Sequence, residues 1–241
     1  MSARRRVVTI DATPSAATRY AANWVVVGID VFRATTVLCT AASLGRLCSV
    51  AADMTEAKEL AAGMPGALLG GEQSGAVPLG FDLGNSPAEI AARDDVERPL
   101  VLVTSSGTPL LRNATCATAV YAACLRNITA QVRHVLSLDL DVAVIGAGTG
   151  GSRREEDDFA CARIAAGLLA EGYDADSATY RAVKSYGQLS VDWCASGPSA
   201  RFLRNVGRQD DIDFVLSHVN DLDMVFEVRG TRVLPPLVDV H

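Results

Sequence analysis

Aromatic side chains make up only 5% of this 241-residue chain, and it holds three histidines. Those histidines, at positions 134, 218 and 241, show neither metal-ligand nor triad spacing, which sets aside a Ser/His/Asp hydrolase. Basic charge is in deficit as well. At a net charge of −6 no basic stripe stands ready to neutralise phosphates, so no nucleic-acid partner is expected. No apolar run approaches membrane-spanning length, and no membrane partner is expected either. The basic opening, residues 1–6, leads only to Val7-Val8-Thr9-Ile10 and then Asp11, too short and too polar for the apolar segment of a signal peptide. The cysteines (39, 48, 116, 124, 161 and 194) contain no C-x-x-C pair and read as reduced, buried, small apolar residues. The expectation is a cytoplasmic protein. The phosphate loop G-x-x-x-x-G-K-S/T is also missing, which excludes the P-loop NTPases.

What the chain does have is 49% hydrophobic residues, mostly small and aliphatic, a mix that suits helices packed on a sheet. Residues 23–30 and 142–147 are nearly continuous apolar runs, as are residues 99–104. Such runs imply central strands covered on both faces, as in a parallel sheet. Shorter strands are expected at 7–10, 47–51, 117–122 and 224–228, with a further strand and coil over 233–236. Helices are expected from Arg33 to about Leu44, over 54–62 with Thr55 or Asp53 as cap, from Ser86-Pro87 onward, and from Glu155 to about Leu169. Residues 175–221 read as mostly helical and amphipathic. Their apolar face fits either a core or the contact surface of a homodimer. No linker divides the chain, so one domain spanning 1–241 is expected.

Three of the buried strands end in a polar cluster and then a helix: Asp30 to Thr36, Thr104 to Thr108, and Gly148 to Asp158. A fourth cluster lies in Gly70-Gly71-Glu72-Gln73-Ser74-Gly75 and Gly80-Phe81-Asp82-Leu83-Gly84-Asn85-Ser86-Pro87. Open α/β sheets bind ligands at the carboxyl ends of their strands, so these clusters point to one crevice. Asp30, Glu72, Asp82, Asp157 and Asp158 offer the carboxylates that Mg²⁺ prefers. Thr104, Ser105, Ser106, Thr108 and Thr149 offer hydroxyls, and glycines expose backbone N–H groups to an oxyanion. Arg33 suits bidentate recognition of a phosphate or sulfonate. Plainer roles fit the same residues: Asp30, Ser105 and Ser106 as helix caps, and Asp157 and Asp158 as first-turn acids on the helix dipole.

The motifs Ile29-Asp30-Val31-Phe32-Arg33-Ala34-Thr35-Thr36, Gly71-Glu72, Gly80-Phe81-Asp82-Leu83-Gly84-Asn85-Ser86-Pro87-Ala88-Glu89, Thr104-Ser105-Ser106-Gly107-Thr108 and Gly148-Thr149-Gly150…Asp157-Asp158 occur in one order. That series resembles the 2-phosphosulfolactate phosphatase (ComB) family from about Val7 to Pro236. The resemblance implies a three-layer α/β/α fold with a largely parallel or mixed sheet. It also implies a Mg²⁺-dependent phosphatase that converts 2-phospho-3-sulfolactate to 3-sulfolactate and phosphate, a step of coenzyme M biosynthesis. Asp30, Glu72 and Asp158 are then the catalytic candidates, and Asp30, Glu72, Asp82 and Asp158 the metal ligands. Arg33, Asn85, Ser86, Ser105, Ser106, Thr108 and Thr149 would bind a small anionic phospho-acid. The chain departs from the family at Ser106, where an amide is usual, and at Arg163, where a glycine is. The family's Glu-Asp pair falls on Asp157-Asp158, a register that Glu155 and Glu156 leave open. Two other readings stand beside this one: a phosphatase of the same scaffold for another phosphorylated hydroxy acid, and a metabolite-binding regulator without turnover. The residue two positions after Asp30 is Phe32 rather than a second acid, which favours attack by water over a phospho-enzyme.

Overall fold

The computed structural model describes residues 5–235; the sequence readings at positions 1–4, Pro236 and His241 lie outside the described residues. The chain begins with β1 (Val7–Ala12), β2 (Trp24–Ile29), α1 (Ala34–Ser43) and β3 (Cys48–Val50). There follow α2 (Met54–Ala62), β4 (Leu68–Gly71), α3 (Pro87–Ala91), β5 (Leu100–Val103) and α4 (Gly107–Asn113). The second half carries β6 (Ala119–Ala123), α5 (Ile128–Leu138), β7 (Asp141–Gly146), α6 (Glu155–Ala170) and the short β8 (Asp174–Ala175). Three helices, α7 (Ser177–Tyr186), α8 (Pro198–Asn205) and α9 (Gln209–Ser217), precede the hairpin β9 (Phe226–Arg229) and β10 (Arg232–Leu234).

The strands form one ten-stranded sheet in the order β4-β5-β3-β10-β9-β6-β2-β7-β1-β8. Two parallel blocks, β4-β5-β3 and β6-β2-β7-β1-β8, are joined by the antiparallel hairpin β9–β10. The apolar runs are central strands, as their composition requires. On β2, Val26 packs into one apolar cluster with α1 and α4, whereas Val25, Val27 and Ile29 pack into another with α5 and α6. Leu100 and Leu102 of β5 join the first cluster, and Val101 and Val103 join a smaller one with α2 on the other face. A sheet buried on both faces by helices is the three-layer arrangement that parallel strands demand.

Local chemistry sets the boundaries near the strand ends. Asp53, not Thr55, caps α2, accepting the N–H groups of Thr55 and Glu56 at 2.8 and 2.9 Å. Ser86 caps α3 through the Glu89 N–H at 3.1 Å, with Pro87 at the first helical position. β4 runs through Leu68–Gly71, so the strand itself carries the first two glycines of the Gly70–Gly75 segment. Gly71 has φ 146°, and a Cβ there would collide with the Val103 carbonyl oxygen, so only glycine lets β4 run this close to β5. The Glu72 N–H then donates to that same carbonyl at 3.1 Å, which fixes where Glu72 emerges from the sheet. Of the six cysteines, all free, Cys116 is exposed rather than buried.

Candidate active site

Register brings the polar clusters to one edge. Ile29 pairs with Gly146 of β7, and Gly71 pairs with Val103 of β5, so Asp30 and Ala147 leave the sheet side by side, as do Glu72 and Thr104. They open onto a cavity of about 510 Å³. The β4 and β5 ends contribute Glu72, Gly75, Ser105 and Ser106, and the β7 end contributes Thr149, Gly150 and Arg154. Asp30, Arg33 and Asn85 line it between them, while α8 adds Phe202 and Leu203. A Cβ on Gly75 would meet the Phe202 ring at 2.6 Å, so the glycine loop lies directly against α8.

Asp30 is 8% exposed, packed so closely on Gly107 that a Cβ there would strike its carboxylate. Its backbone is held by Thr35, whose hydroxyl accepts the Asp30 N–H at 2.8 Å. Burial pushes its carboxyl pKa up to about 7. The Ala34 N–H opposes that shift, the charges of Glu72 and Glu156 add to it, and Arg33 offsets part. Glu72 is stapled in place: its Oε1 accepts the Ser105 N–H at 2.6 Å, and its Oε2 accepts the Gly75 N–H at 2.7 Å and the Ser105 hydroxyl at 3.0 Å. Asn85 is 4% exposed and lines the cavity with its Oδ1 buried and without a hydrogen-bond donor.

Arg33 is positioned by a residue that the sequence pattern did not single out. Its Nη1 donates to Asp211 Oδ2 at 2.6 Å, and Asp211, fully buried on α9, also accepts the Ser86 hydroxyl at 2.5 Å. Asp211 lies 178 residues from Arg33 and resembles a first-turn acid of its helix, so no local signal marks it. Arg154 and Phe202 were likewise missed, for want of a motif.

Several expected residues stand apart from the cavity. Asp82 is exposed and turned to the Leu69 N–H at 2.9 Å, where it ties the returning chain to β4. Asp158 is held bidentately by Arg153 at 3.0 and 2.7 Å. Its neighbour Asp157 takes the inner position: buried, it accepts the N–H groups of Val31 at 2.9 Å and Gly148 at 3.0 Å, locking the β2 and β7 loops together. The reason is helical phase, which turns Asp157 toward β2 and Asp158 away from it. Burial holds the Asp157 pKa well above the usual range, with Asp30 and Glu156 adding to the shift. Ser86 serves Asp211 and α3, and Thr108 exchanges hydrogen bonds with Thr104, its Oγ1 accepting the Thr104 N–H at 2.9 Å. The Asp30–Glu72–Arg33–Asn85–Ser105–Ser106–Thr149 set is brought together; Asp82, Asp158, Ser86 and Thr108 are not.

The sequence model of 2-phosphosulpholactate phosphatase matches residues 11–231. The chain belongs to that family. Similar proteins named "probable 2-phosphosulfolactate phosphatase" come from Caldanaerobacter subterraneus subsp. tengcongensis, 31% identical over 85% of this chain and 88% of that protein, and from Deinococcus radiodurans, 32% identical over 87% and 86%. A protein of the same name from Carboxydothermus hydrogenoformans is 38% identical over 61% of this chain, and the match spans 60% of that relative's length. The family's chemistry is phosphoric monoester hydrolysis, and its α/β fold agrees with the mixed, mostly parallel sheet found here. Among the described residues no helix is long and apolar enough to cross a membrane.

Two outcomes follow from this geometry. In protein free of divalent cations, Asp30→Asn raises the thermal midpoint at pH 8. The gain shrinks as pH falls below about 7, because a raised carboxyl pKa penalises the folded state above that pH and protonation relieves the penalty below it. Equal midpoints at pH 8 would contradict a charge conflict at Asp30. For the second, Asp211→Asn leaves the buried Arg33 guanidinium without its counter-charge, and chemical denaturation should show a loss of roughly 3 kcal/mol. A loss under about 1 kcal/mol would mean that the pair does not anchor Arg33.

Proposed function

We propose that this chain is a cytoplasmic, Mg²⁺-dependent phosphatase that hydrolyses 2-phospho-3-sulfolactate to 3-sulfolactate and phosphate, the reaction used in coenzyme M biosynthesis. The observation that carries this reading is the cavity itself, where carboxylates, a tethered arginine and serine hydroxyls from four strand ends face one space of about 510 Å³. Family membership supports the reaction class, and the names of the relatives support the substrate.

Among the described residues no group of three or more His, Cys, Asp or Glu side chains is placed to hold a metal ion. Mg²⁺ needs no such group, since it is commonly bound by one or two carboxylates with waters and substrate phosphate. The donors fit: Glu72 adds its negative charge to the buried carboxylate of Asp30, and the unpartnered Asn85 Oδ1 is a further hard oxygen. These three residues would hold the ion, which supplies positive charge against the phosphoryl oxygens. Arg33 grips the phosphoryl group with the guanidinium edge that Asp211 leaves free. Ser106 and Thr149 donate their hydroxyls to its oxygens, and Ser105 holds Glu72 and the glycine loop in register. Phosphoryl transfer asks chiefly for positioning and charge stabilisation, which this set provides. Phe32 lines the cavity where a second aspartate would serve an aspartyl-phosphate mechanism, which favours direct attack by water.

Phosphate release from a panel of phospho-acids, with Mg²⁺ and with EDTA, tests the proposal. Turnover of 2-phosphosulfolactate that EDTA abolishes and Asp30→Asn lowers at least ~10³-fold is the expected result. Release from another phospho-hydroxy acid only would move the substrate within the same chemistry. Tight ligand binding with no release from any ester would make the chain a binding protein.

A further inference from the structure

The cavity contains two guanidinium groups, and they differ in what already satisfies them. Arg33 is committed on one nitrogen to Asp211 at 2.6 Å. Arg154, at the N-cap of α6, makes no hydrogen bond or ion pair from its guanidinium among the described residues, and its Nε is buried without an acceptor. The Nε atoms of Arg46 and Arg112 are buried and bare too, but their outer nitrogens reach carbonyl oxygens and a carboxylate. The preceding Arg153 spends its fork on Asp158. Arg154 tempers the charge of Glu156, with which it forms no ion pair. A half-buried guanidinium with an unsatisfied N–H is costly to keep, and an anion that enters the cavity recovers that cost.

Position separates this group from the phosphoryl centre. In the sheet, the β4 and β5 ends that carry Glu72 and Ser105 lie on one side of β2, and β7, which leads to Arg154, lies on the other. Asp30, at the end of β2, stands between them. The turn Gly148–Ser152 brings the chain back to the cavity: Thr149 and Ser152 exchange backbone hydrogen bonds at 2.9 and 3.0 Å, and Gly148, Gly150 and Gly151 all have positive φ. Phe202 and Leu203 of α8 line the same space and exclude water, which strengthens any ion pair formed there.

We infer that Arg154 is the specificity residue that binds the second anionic group of the substrate, a carboxylate or sulfonate, while Arg33 serves the phosphoryl end. The inference rests on the phosphatase reading above. A planar fork matches a carboxylate or sulfonate with paired hydrogen bonds, and neighbouring apolar walls limit the acid to a short chain.

The test compares wild type, Arg154→Gln and Arg154→Lys on four esters: 2-phosphosulfolactate, 2-phospholactate, 2-phosphoethanesulfonate and ethyl phosphate. Arg154→Gln should lower kcat/KM for the acid that Arg154 reads roughly 30-fold more than for ethyl phosphate, mainly through KM, with part of the loss recovered in Arg154→Lys. The carboxylate-only and sulfonate-only esters show which group is read. Equal losses on all four esters, or none, would overturn the assignment. Calorimetric binding of 3-sulfolactate gives a readout without turnover, and Arg154→Gln should weaken it at least ~10-fold. If wild type hydrolyses no ester, the phosphatase reading fails, and the Arg154 assignment then stands or falls on that binding loss.

Discussion

Everything at the carboxyl edge of the sheet depends on one conflict of charge. Asp30 is buried beside Glu72 and Glu156, and Arg33, which offsets part of its charge, is already paired with Asp211. Burying a carboxylate without a full counter-charge is unfavourable, and the carboxyl responds by holding its proton up to about pH 7. A fold tolerates such a group only where surrounding structure over-determines it. Here Thr35 fixes the backbone of Asp30, Gly107 presses on its carboxylate, and Asp157 clamps the following residue to the β7 loop. The site is thus short of positive charge by construction, which is the condition that a bound cation relieves.

Long-range ties assemble this edge from distant parts of the chain. The β9–β10 hairpin, last in sequence, joins the two parallel blocks and so sets the distance between the Glu72 side and the Thr149 side of the cavity. Asp211 on α9 links Arg33 after β2 with Ser86 at the start of α3. Phe202 of α8 rests on Gly75 of the glycine loop. The C-terminal helices therefore build the site rather than merely cover the core.

The strands and most helices were legible because their signals are local: continuous apolar runs for β2, β5 and β7, and a Ser-Pro-x-Glu start for α3. Convergence of the strand-end clusters was legible for the same reason, and Asp30, Arg33, Glu72, Asn85, Ser105, Ser106 and Thr149 do meet. What escaped was phase and distance. Asp157 and Asp158 differ by one helical step, and composition cannot say which faces inward. Asp82 sits inside the most distinctive string of the sequence, yet its carboxylate serves the Leu69 N–H. Asp211 and Arg154 carry no motif, since each is defined by what it packs against rather than by its neighbours in sequence.

The central claim is that the cavity's buried carboxylate waits for positive charge. Calorimetric titration of Mg²⁺ at pH 7, repeated in two buffers of different ionisation enthalpy, measures that directly. Release of a substantial fraction of one proton per ion bound, lost in Asp30→Asn, is the predicted result, because binding displaces the proton that Asp30 retains near pH 7. Binding with no proton release, or release unchanged in Asp30→Asn, would contradict it.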